Sequence, residues 1–194
     1  MLGVTAGVAL VFGVTYYKLN PQAKLNRFLK ASLFPLQARE ILDIVLDKTS
    51  ICNAVLFSVH NNGGEILAGT KLYSSVIVEK PINESVSFES DWQNMLIDHE
   101  LMQVLRHTDS SKGKLLITDT MNEGILKRTH ISKSITGAVY FKVYNKTSSS
   151  YYHAAFMSDG ETSTLTGDDF IHFEYAINKL SNLCKDFDKQ GVLK

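Results

Sequence analysis

The segment Ile51-Cys52-Asn53-Ala54-Val55-Leu56-Phe57-Ser58-Val59 decides the fold that this chain is predicted to adopt. It is a short apolar run, rich in β-branched and aromatic residues, which is typical of a buried strand. The next residues, His60-Asn61-Asn62-Gly63-Gly64, favour a tight turn because Asn and Gly tolerate left-handed backbone conformations. Residues 66–79 have strand character again, with an interruption near Gly69. Together these segments predict an antiparallel hairpin.

Helical and strand patterns alternate on both sides of the hairpin. Pro35 is a natural first-turn residue, and apolar residues recur at a helical period over residues 36–49. The elements predicted after the hairpin are a loop over residues 81–90, a helix over 91–107, a strand over 114–118, a short helix over 119–128, and strands over 134–145 and 151–157.

The last predicted helix has the clearest signals. Thr166 can cap its N-terminus, and Asp169 at the third position completes a capping-box-like arrangement. The apolar residues that follow recur three or four positions apart and form one stripe: Phe170, Phe173, Ile177, Leu180, Cys184 and Phe187. Helices at both ends, with five to six strands between them, predict an α+β domain over residues 35–194, in which helices pack on a single antiparallel sheet.

Composition and cysteine usage exclude some classes of function. The chain has 20 basic and 20 acidic residues, so it lacks the cationic surplus with which proteins bind nucleic-acid phosphates. Its two cysteines, Cys52 and Cys184, have no spacing typical of a metal site. They are predicted to be small buried hydrophobes, and a disulfide between the first strand and the last helix is left open. We expect no nucleic-acid partner.

The N-terminal segment is apolar enough to suggest a membrane anchor. Residues 2–17 carry no charge. As a helix they would span about 24 Å, against about 30 Å for the hydrocarbon core, and Lys18 can extend the span by reaching the headgroups. Tyr16 and Tyr17 lie where an interfacial aromatic belt would lie. We predict a membrane-anchor helix over residues 1–19; the alternative is an apolar segment buried in an assembly.

The following segment, residues 20–34, is basic and amphipathic. Leu25, Phe28 and Leu29 can share one face of a helix that lies on the membrane. The cations predicted to flank the membrane are Lys18, Lys24, Arg27 and Lys30. Since no cation precedes the apolar segment, the positive-inside rule predicts a single-pass protein whose C-terminal domain is cytoplasmic.

The order of the elements resembles that of GAF domains, relatives of PAS domains, over roughly residues 36–187. The local pattern is similar to a group of GAF-like proteins, many of them phage-encoded, that carry an N-terminal membrane segment. In that group the first strand ends in a His-Asn-Gly turn, which His60-Asn61-Asn62-Gly63 resembles here. A later Gln-Asn follows an aromatic residue, as in Trp92-Gln93-Asn94. The resemblance implies a GAF-like architecture rather than a particular activity.

The resemblance also permits a small-molecule ligand, because sensory GAF domains bind cyclic nucleotides, bilins and other small molecules between sheet and helices. The candidate ligand-binding residues are His60, Asn61, Asn62, Tyr73 and Trp92. The polar turn residues can instead form hydrogen bonds within the turn, and Trp92 can instead pack in the core. The chain has no conjugating cysteine in its middle region and no phosphate-cradling motif, so no cofactor is predicted.

One run of titratable residues, Asp98-His99-Glu100, falls in the helix predicted over residues 91–107. Adjacent residues of a helix do not share a face, so the run favours neither a metal site nor catalysis. No nucleophile or metal motif occurs elsewhere in the sequence. We therefore predict no catalytic residue, no metal and no enzymatic activity.

These inferences favour a membrane-tethered, non-catalytic GAF-like interaction or sensory module, phage-encoded, with a protein partner or a homo-oligomeric state. One alternative is a holin-like protein of phage lysis, since holins of T-even-type phages also join one membrane span to a soluble α/β domain. Those holins place the domain outside the cytoplasm, whereas the basic flank here predicts the reverse. The other alternative is a structural or assembly component of a virion.

Overall fold

The computed structural model describes residues 21–61, 71–108, 113–146, 150–160 and 165–189. The elements in chain order are α1 (Pro21–Lys48), β1 (Asn53–His60), β2 (Tyr73–Pro81), β3 (Met95–Leu96), α2 (His99–Arg106), β4 (Lys114–Ile117), α3 (Ile125–Ser132), β5 (Gly137–Lys146), β6 (Ser150–Ser158) and α4 (Gly167–Lys189). The anchor helix predicted over residues 1–19 lies outside the described residues. Within the described ranges, no helix is long and apolar enough to cross a bilayer.

Six strands form one antiparallel sheet in the order β3-β2-β1-β6-β5-β4. In the central strand β1, Asn53 pairs with Pro81 of β2 on one side and with Met157 of β6 on the other. Every residue of β1 except His60 is buried, because both faces of the sheet are covered. This explains why the run is mostly apolar on both faces of the strand. The predicted α+β class, the hairpin and the single antiparallel sheet are confirmed.

Helices α1 and α4 cover one face of the sheet. Phe156 of β6 stacks on Phe173 of α4 with ring centroids 4.5 Å apart, and Leu42 of α1 is fully buried in the same layer. The stripe predicted on the last helix faces this layer, and its members are buried apart from the half-buried Phe170. Burial of each such side chain contributes about 1.5–3 kcal/mol, so the stripe fixes α4 on the sheet.

The capping box predicted for α4 is also confirmed. The Asp169 carboxylate accepts hydrogen bonds from the Thr166 backbone N–H (2.6 Å) and hydroxyl (3.0 Å). In return the Thr166 hydroxyl accepts from the Asp169 backbone N–H at 3.4 Å. The helix therefore starts where these two side chains satisfy its first backbone donors.

The opposite face of the sheet carries a second apolar layer, built from α2, α3 and the segment between β2 and β3. Cys52 is buried in this layer, whereas Cys184 is buried in the α1/α4 layer. The sheet separates the two thiols, so no disulfide joins them. Burial raises the pKa of both thiols to about 12, which keeps them protonated and unreactive in the folded domain.

The predicted start of a helix at Pro35 is wrong. Helix α1 already runs from Pro21 and continues through Pro35 to Lys48. A proline inside a helix removes one backbone hydrogen bond and costs roughly 3 kcal/mol. Tertiary packing offsets that cost here, because the neighbouring Phe34 is buried with its ring 5.4 Å from Phe187 and 6.4 Å from Tyr152.

The helix predicted over residues 91–107 is shorter than expected. Its first part forms a turn in which Asn94 has a left-handed φ of 54°, followed by the two-residue strand β3. The Val76 N–H donates to the Trp92 carbonyl at 2.9 Å, so this segment joins the edge of β2 instead of a helix. The short helix predicted over residues 119–128 is displaced in the same way, since α3 starts only at Ile125.

Candidate functional site

The hairpin residues predicted to bind a ligand are partly brought together. His60 pairs with Tyr73 across β1 and β2, and their rings stack with centroids 6.3 Å apart. The imidazole Nε2 of His60 lies 3.1 Å from the Ser75 hydroxyl, which also accepts from the Asn94 backbone N–H. Asn61 follows directly, and Asn62 lies outside the described residues. This group therefore ties the hairpin to the turn before β3.

Trp92 lies apart from that group, in the second apolar layer. It is 1% exposed, and its ring centroid lies 6.0 Å from that of Phe57 and 5.7 Å from that of Phe88. This placement agrees with the alternative that Trp92 packs in the core. Its indole N–H is buried and has no hydrogen-bond partner among the described residues.

The space between the sheet and α2, next to Trp92, is almost filled by side chains. A cavity of about 10 Å³ remains among Phe57, Leu101, Leu105, Tyr140 and His153. The Thr108 hydroxyl donates to the Leu105 carbonyl at 2.9 Å, so it can accept at its 3.3 Å contact with His153 Nδ1. Burial lowers the pKa of His153 to about 3, so its ring is neutral. The cavity has room for one water molecule but not for a nucleotide or a bilin.

A larger cleft of about 340 Å³ opens beside it, between α2, β4 and the start of α3. This volume is within the range of small-molecule sites. Its apolar surface comes from Val104, Leu116, Met121 and Leu126. Its charged and polar surface includes His99, Glu100, Gln103, Lys114, Asn122 and Lys127. We call this space the α2–α3 cleft.

A single carboxylate holds the two helical walls of the cleft together. Asp98 Oδ1 accepts from the Leu101 N–H (2.9 Å) in the first turn of α2, and Oδ2 accepts from the Ile125 N–H (2.7 Å) at the start of α3. Gly124 permits this approach, because a Cβ there would lie 3.0 Å from Asp98 Oδ2 and 3.1 Å from Glu100 Cβ. One acidic side chain therefore caps both helices and sets the width of the cleft.

The charged side chains that line the cleft differ in whether they already have a hydrogen-bond or ion-pair partner. Glu100 uses one oxygen, Oε2, to accept from the Asn122 amide at 3.0 Å. Lys127 forms an ion pair of 2.8 Å with Glu123. Lys114, by contrast, has no ion-pair partner within the described part of the chain. Among the described residues, the cleft thus presents one ammonium without an ion-pair partner and one carboxylate with an unused oxygen.

The sequence did not identify this site. The spacing of Asp98-His99-Glu100 predicts no shared site, because adjacent helical residues diverge. In the structure Asp98 precedes α2 as its cap, and His99 and Glu100 both line the cleft. The other walls of the cleft come from β4 and from the segment that leads into α3, and no motif in the sequence links these segments to α2. Across the described residues, no group of His, Cys, Asp and Glu side chains is arranged to hold a metal.

Comparison with known proteins shows the fold but not a family. No known protein family matches the sequence, and no curated protein does either. Solved GAF domains are similar in structure. A GAF domain region from Geobacter sulfurreducens has a TM-score of 0.52 at 11% identity, covering 84% of this chain and 97% of its own. The GAF domain of a two-component sensor histidine kinase from Bacillus halodurans has a TM-score of 0.53 at 12% identity, covering 78% and 96%.

The same fold also occurs in an enzyme. A type II free methionine-R-sulfoxide reductase from Thermoplasma acidophilum has a TM-score of 0.52 at 8% identity, covering 81% of this chain and 96% of its own. The structural similarity shows that the chain has a GAF-like fold. At identities this low, it shows nothing about the activity of the chain. The function has to be argued from the surfaces of this chain.

Proposed function

We propose that this chain is a membrane-tethered, non-catalytic sensory or interaction module with a GAF-like fold, encoded by a phage. The main support for a membrane tether is a stripe of exposed apolar side chains in the N-terminal part of α1. Its side chains are 46–67% exposed: Leu25, Phe28, Leu29, Leu33 and Leu36. A stripe of exposed apolar side chains on one face of a helix is typical of a contact surface.

The stripe and the core-facing residues lie on opposite sides of α1. Leu25 precedes the buried Phe34 by nine residues, which is two and a half turns at 3.6 residues per turn. The same offset separates Leu33 from the buried Leu42. The exposed apolar residues in the N-terminal part of α1 and the buried apolar residues farther along therefore lie on opposite faces of the helix. With the stripe in a lipid surface, the domain points away from the lipid and does not collide with it.

The charge of this region favours lipid over an apolar protein partner. Lys24, Arg27 and Lys30 occur in the same turns as the stripe, and no acidic residue precedes Glu40. Anionic headgroups attract such cations, at about 1 kcal/mol for each one near the surface. The uncharged residues 2–17 come directly before this region, which supports a bilayer span followed by a helix on its surface.

Fractionation of the full chain after expression in bacteria tests the tether. The control is a chain that begins at Ala31, because a longer truncation would remove the core residue Phe34. We expect the full chain in the membrane fraction after a high-salt wash, and the shortened chain in solution with cooperative unfolding. A full chain that stays in solution would refute the tether. A shortened chain that does not fold would show that the N-terminal segment belongs to the core.

The proposed topology places the domain in the cytoplasm. A reporter fused after Lys194 should then behave as cytoplasmic, and protease added to spheroplasts should leave the domain intact. Digestion from outside would reverse the topology and favour the holin-like alternative. Expression separates these functions further, since a holin-like protein dissipates the membrane potential and a tethered module does not. A virion component would instead be found in purified particles.

A further inference from the structure

We propose that the α2–α3 cleft binds a small zwitterion, a molecule with an ammonium and a carboxylate on an apolar body, as in a free amino acid with an aliphatic side chain. This inference rests on the proposed sensory role, for which it names the ligand. It follows from the cleft's two uncommitted charges and from the apolar surface near them.

The cleft residues come from regular elements that present them on one side. His99 and Gln103 are four residues apart, as are Glu100 and Val104, so these two pairs form neighbouring rows on one side of α2. Lys114 and Leu116 are two residues apart in β4 and therefore lie on the same face of the strand. A helix and a strand held in this way form a preorganised site, which lowers the entropy cost of binding a small ligand.

The charges select a zwitterion over a simple anion or cation. The free Lys114 ammonium can pair with a ligand carboxylate, and Glu100 Oε1, the oxygen that Asn122 does not use, can accept from a ligand ammonium. A phosphate or a dicarboxylate would be repelled by Glu100. An amine without a carboxylate would be repelled by Lys114.

The apolar surface selects the body of the ligand. Val104 and Leu126 are buried at the base of the cleft, and Leu116 and Met121 are half-buried beside them. An aliphatic side chain of a few carbons that removes this surface from water gains about 0.8 kcal/mol for each buried methylene. A bare glycine zwitterion lacks this gain and should bind more weakly than its larger relatives.

Ligand-observed NMR with the purified full chain in detergent micelles tests the proposal. The probes are L-leucine, L-valine and L-methionine, with glycine, 4-methylpentanoate (leucine without its amine) and leucine amide (leucine without its carboxylate) as matched probes. We expect saturation by at least one of the three aliphatic amino acids and weaker binding of each matched probe, by about tenfold or more. Absence of binding by all three amino acids would overturn the proposal, as would binding of 4-methylpentanoate as tight as that of leucine.

Two variants locate the site. Lys114→Gln should weaken amino-acid binding about tenfold to a hundredfold, and it should not weaken the binding of leucine amide, because it removes the ammonium that repels this cation. Glu100→Gln should weaken amino-acid binding to the same extent without weakening that of 4-methylpentanoate, because it removes the carboxylate that repels this anion. Lys185→Gln and Glu174→Gln, exposed on α4, are the matched controls. Trp92 fluorescence checks that both cleft variants are folded. If both folded variants bind amino acids with wild-type affinity, the binding site lies elsewhere and its assignment to the α2–α3 cleft is refuted. Because this assay does not involve a membrane, its failure is distinguishable from failure of the tether.

Discussion

Removal of the Asp98 carboxylate tests whether one side chain joins α2 to α3. Asp98→Ala leaves two backbone donors, the N–H groups of Leu101 and Ile125, without the acceptor they have at 2.9 and 2.7 Å. Each lost cap costs about 1 kcal/mol, and loss of the charge at each helix N-terminus adds about 0.3–1 kcal/mol. We expect a total loss of about 2.5–4 kcal/mol, a large part of the stability of a typical domain.

The asparagine variant separates the two caps. Asp98→Asn keeps one acceptor oxygen and turns an NH₂ group toward the second N–H, so it should lose roughly half as much stability as Asp98→Ala. Urea unfolding is followed by the fluorescence of Trp92, the single tryptophan, which is buried in the layer next to α2. The alanine variant should also unfold about 5–10 °C lower on heating.

The control for this series is Asp119→Ala, since Asp119 is an exposed carboxylate in the turn before α3. It should stay within about 0.5 kcal/mol of the wild type. The reasoning is wrong if Asp98→Ala loses no more than this control. Equal stabilities of Asp98→Asn and the wild type would show that only one of the two contacts matters.

Three further outcomes are expected. Burial lowers the pKa of His130 to about 4, whereas the unfolded chain takes up this proton near pH 6.5, so this group alone should lower the stability by up to about 1.4 kcal/mol per pH unit as the pH drops from about 6.5 to 4. His153, whose pKa burial lowers to about 3, adds a similar slope. His130→Gln should make the profile measured by urea unfolding less steep without abolishing its slope, and a profile parallel to that of the wild type would contradict this reasoning. A maleimide should label Cys52 and Cys184 in urea but not in the folded chain, and rapid native labelling would contradict their burial. Phe34→Ala should lower the free energy of unfolding by about 3–5 kcal/mol. Phe28→Ala, on the exposed side of the same helix, should keep the stability of the wild type but bind anionic vesicles less well. Equal losses of stability in the two variants would contradict the placement of these two side chains on opposite faces of α1.

The parts of the fold that the sequence predicted are those in which local pattern and burial agree. β1 is buried on both faces, so its composition alone identified it, and α4 combines a capping box with an apolar stripe of helical period. The hairpin was predictable for a similar reason, since the turn residues lie between two apolar runs. These elements were sufficient to predict the sheet and the GAF-like arrangement around it.

The errors occurred where tertiary contacts override local preference. Pro35 is a signal for a helix start, but the burial of Phe34 beside Phe187 holds α1 continuous through it. Residues 91–94 have helical composition, but the hydrogen bond from the Val76 N–H to the Trp92 carbonyl holds them in a turn beside β2. In both cases the deciding partner is distant in the sequence, and a periodicity over neighbouring residues does not include it.

The cleft could not be predicted because its parts come from three segments. Asp98 caps Leu101 three residues later, which is a common local arrangement, but its second bond reaches Ile125. Lys114 and Leu116 reach the same space only because β4 pairs with β5 at the edge of the sheet. The residues that the resemblance predicts to bind a ligand, among them His60, Tyr73 and Trp92, lie elsewhere in the fold.

The pairing of β1 with β6 determines when the chain can fold during translation. β1 and β2 can pair early, but the other edge of β1 has no neighbour until residues 150–158 have left the ribosome. Until then an apolar strand with unpaired backbone groups is exposed, which is a site for misassociation of nascent chains. Contacts between such distant segments also slow folding. We therefore expect the domain to fold only after translation of β6.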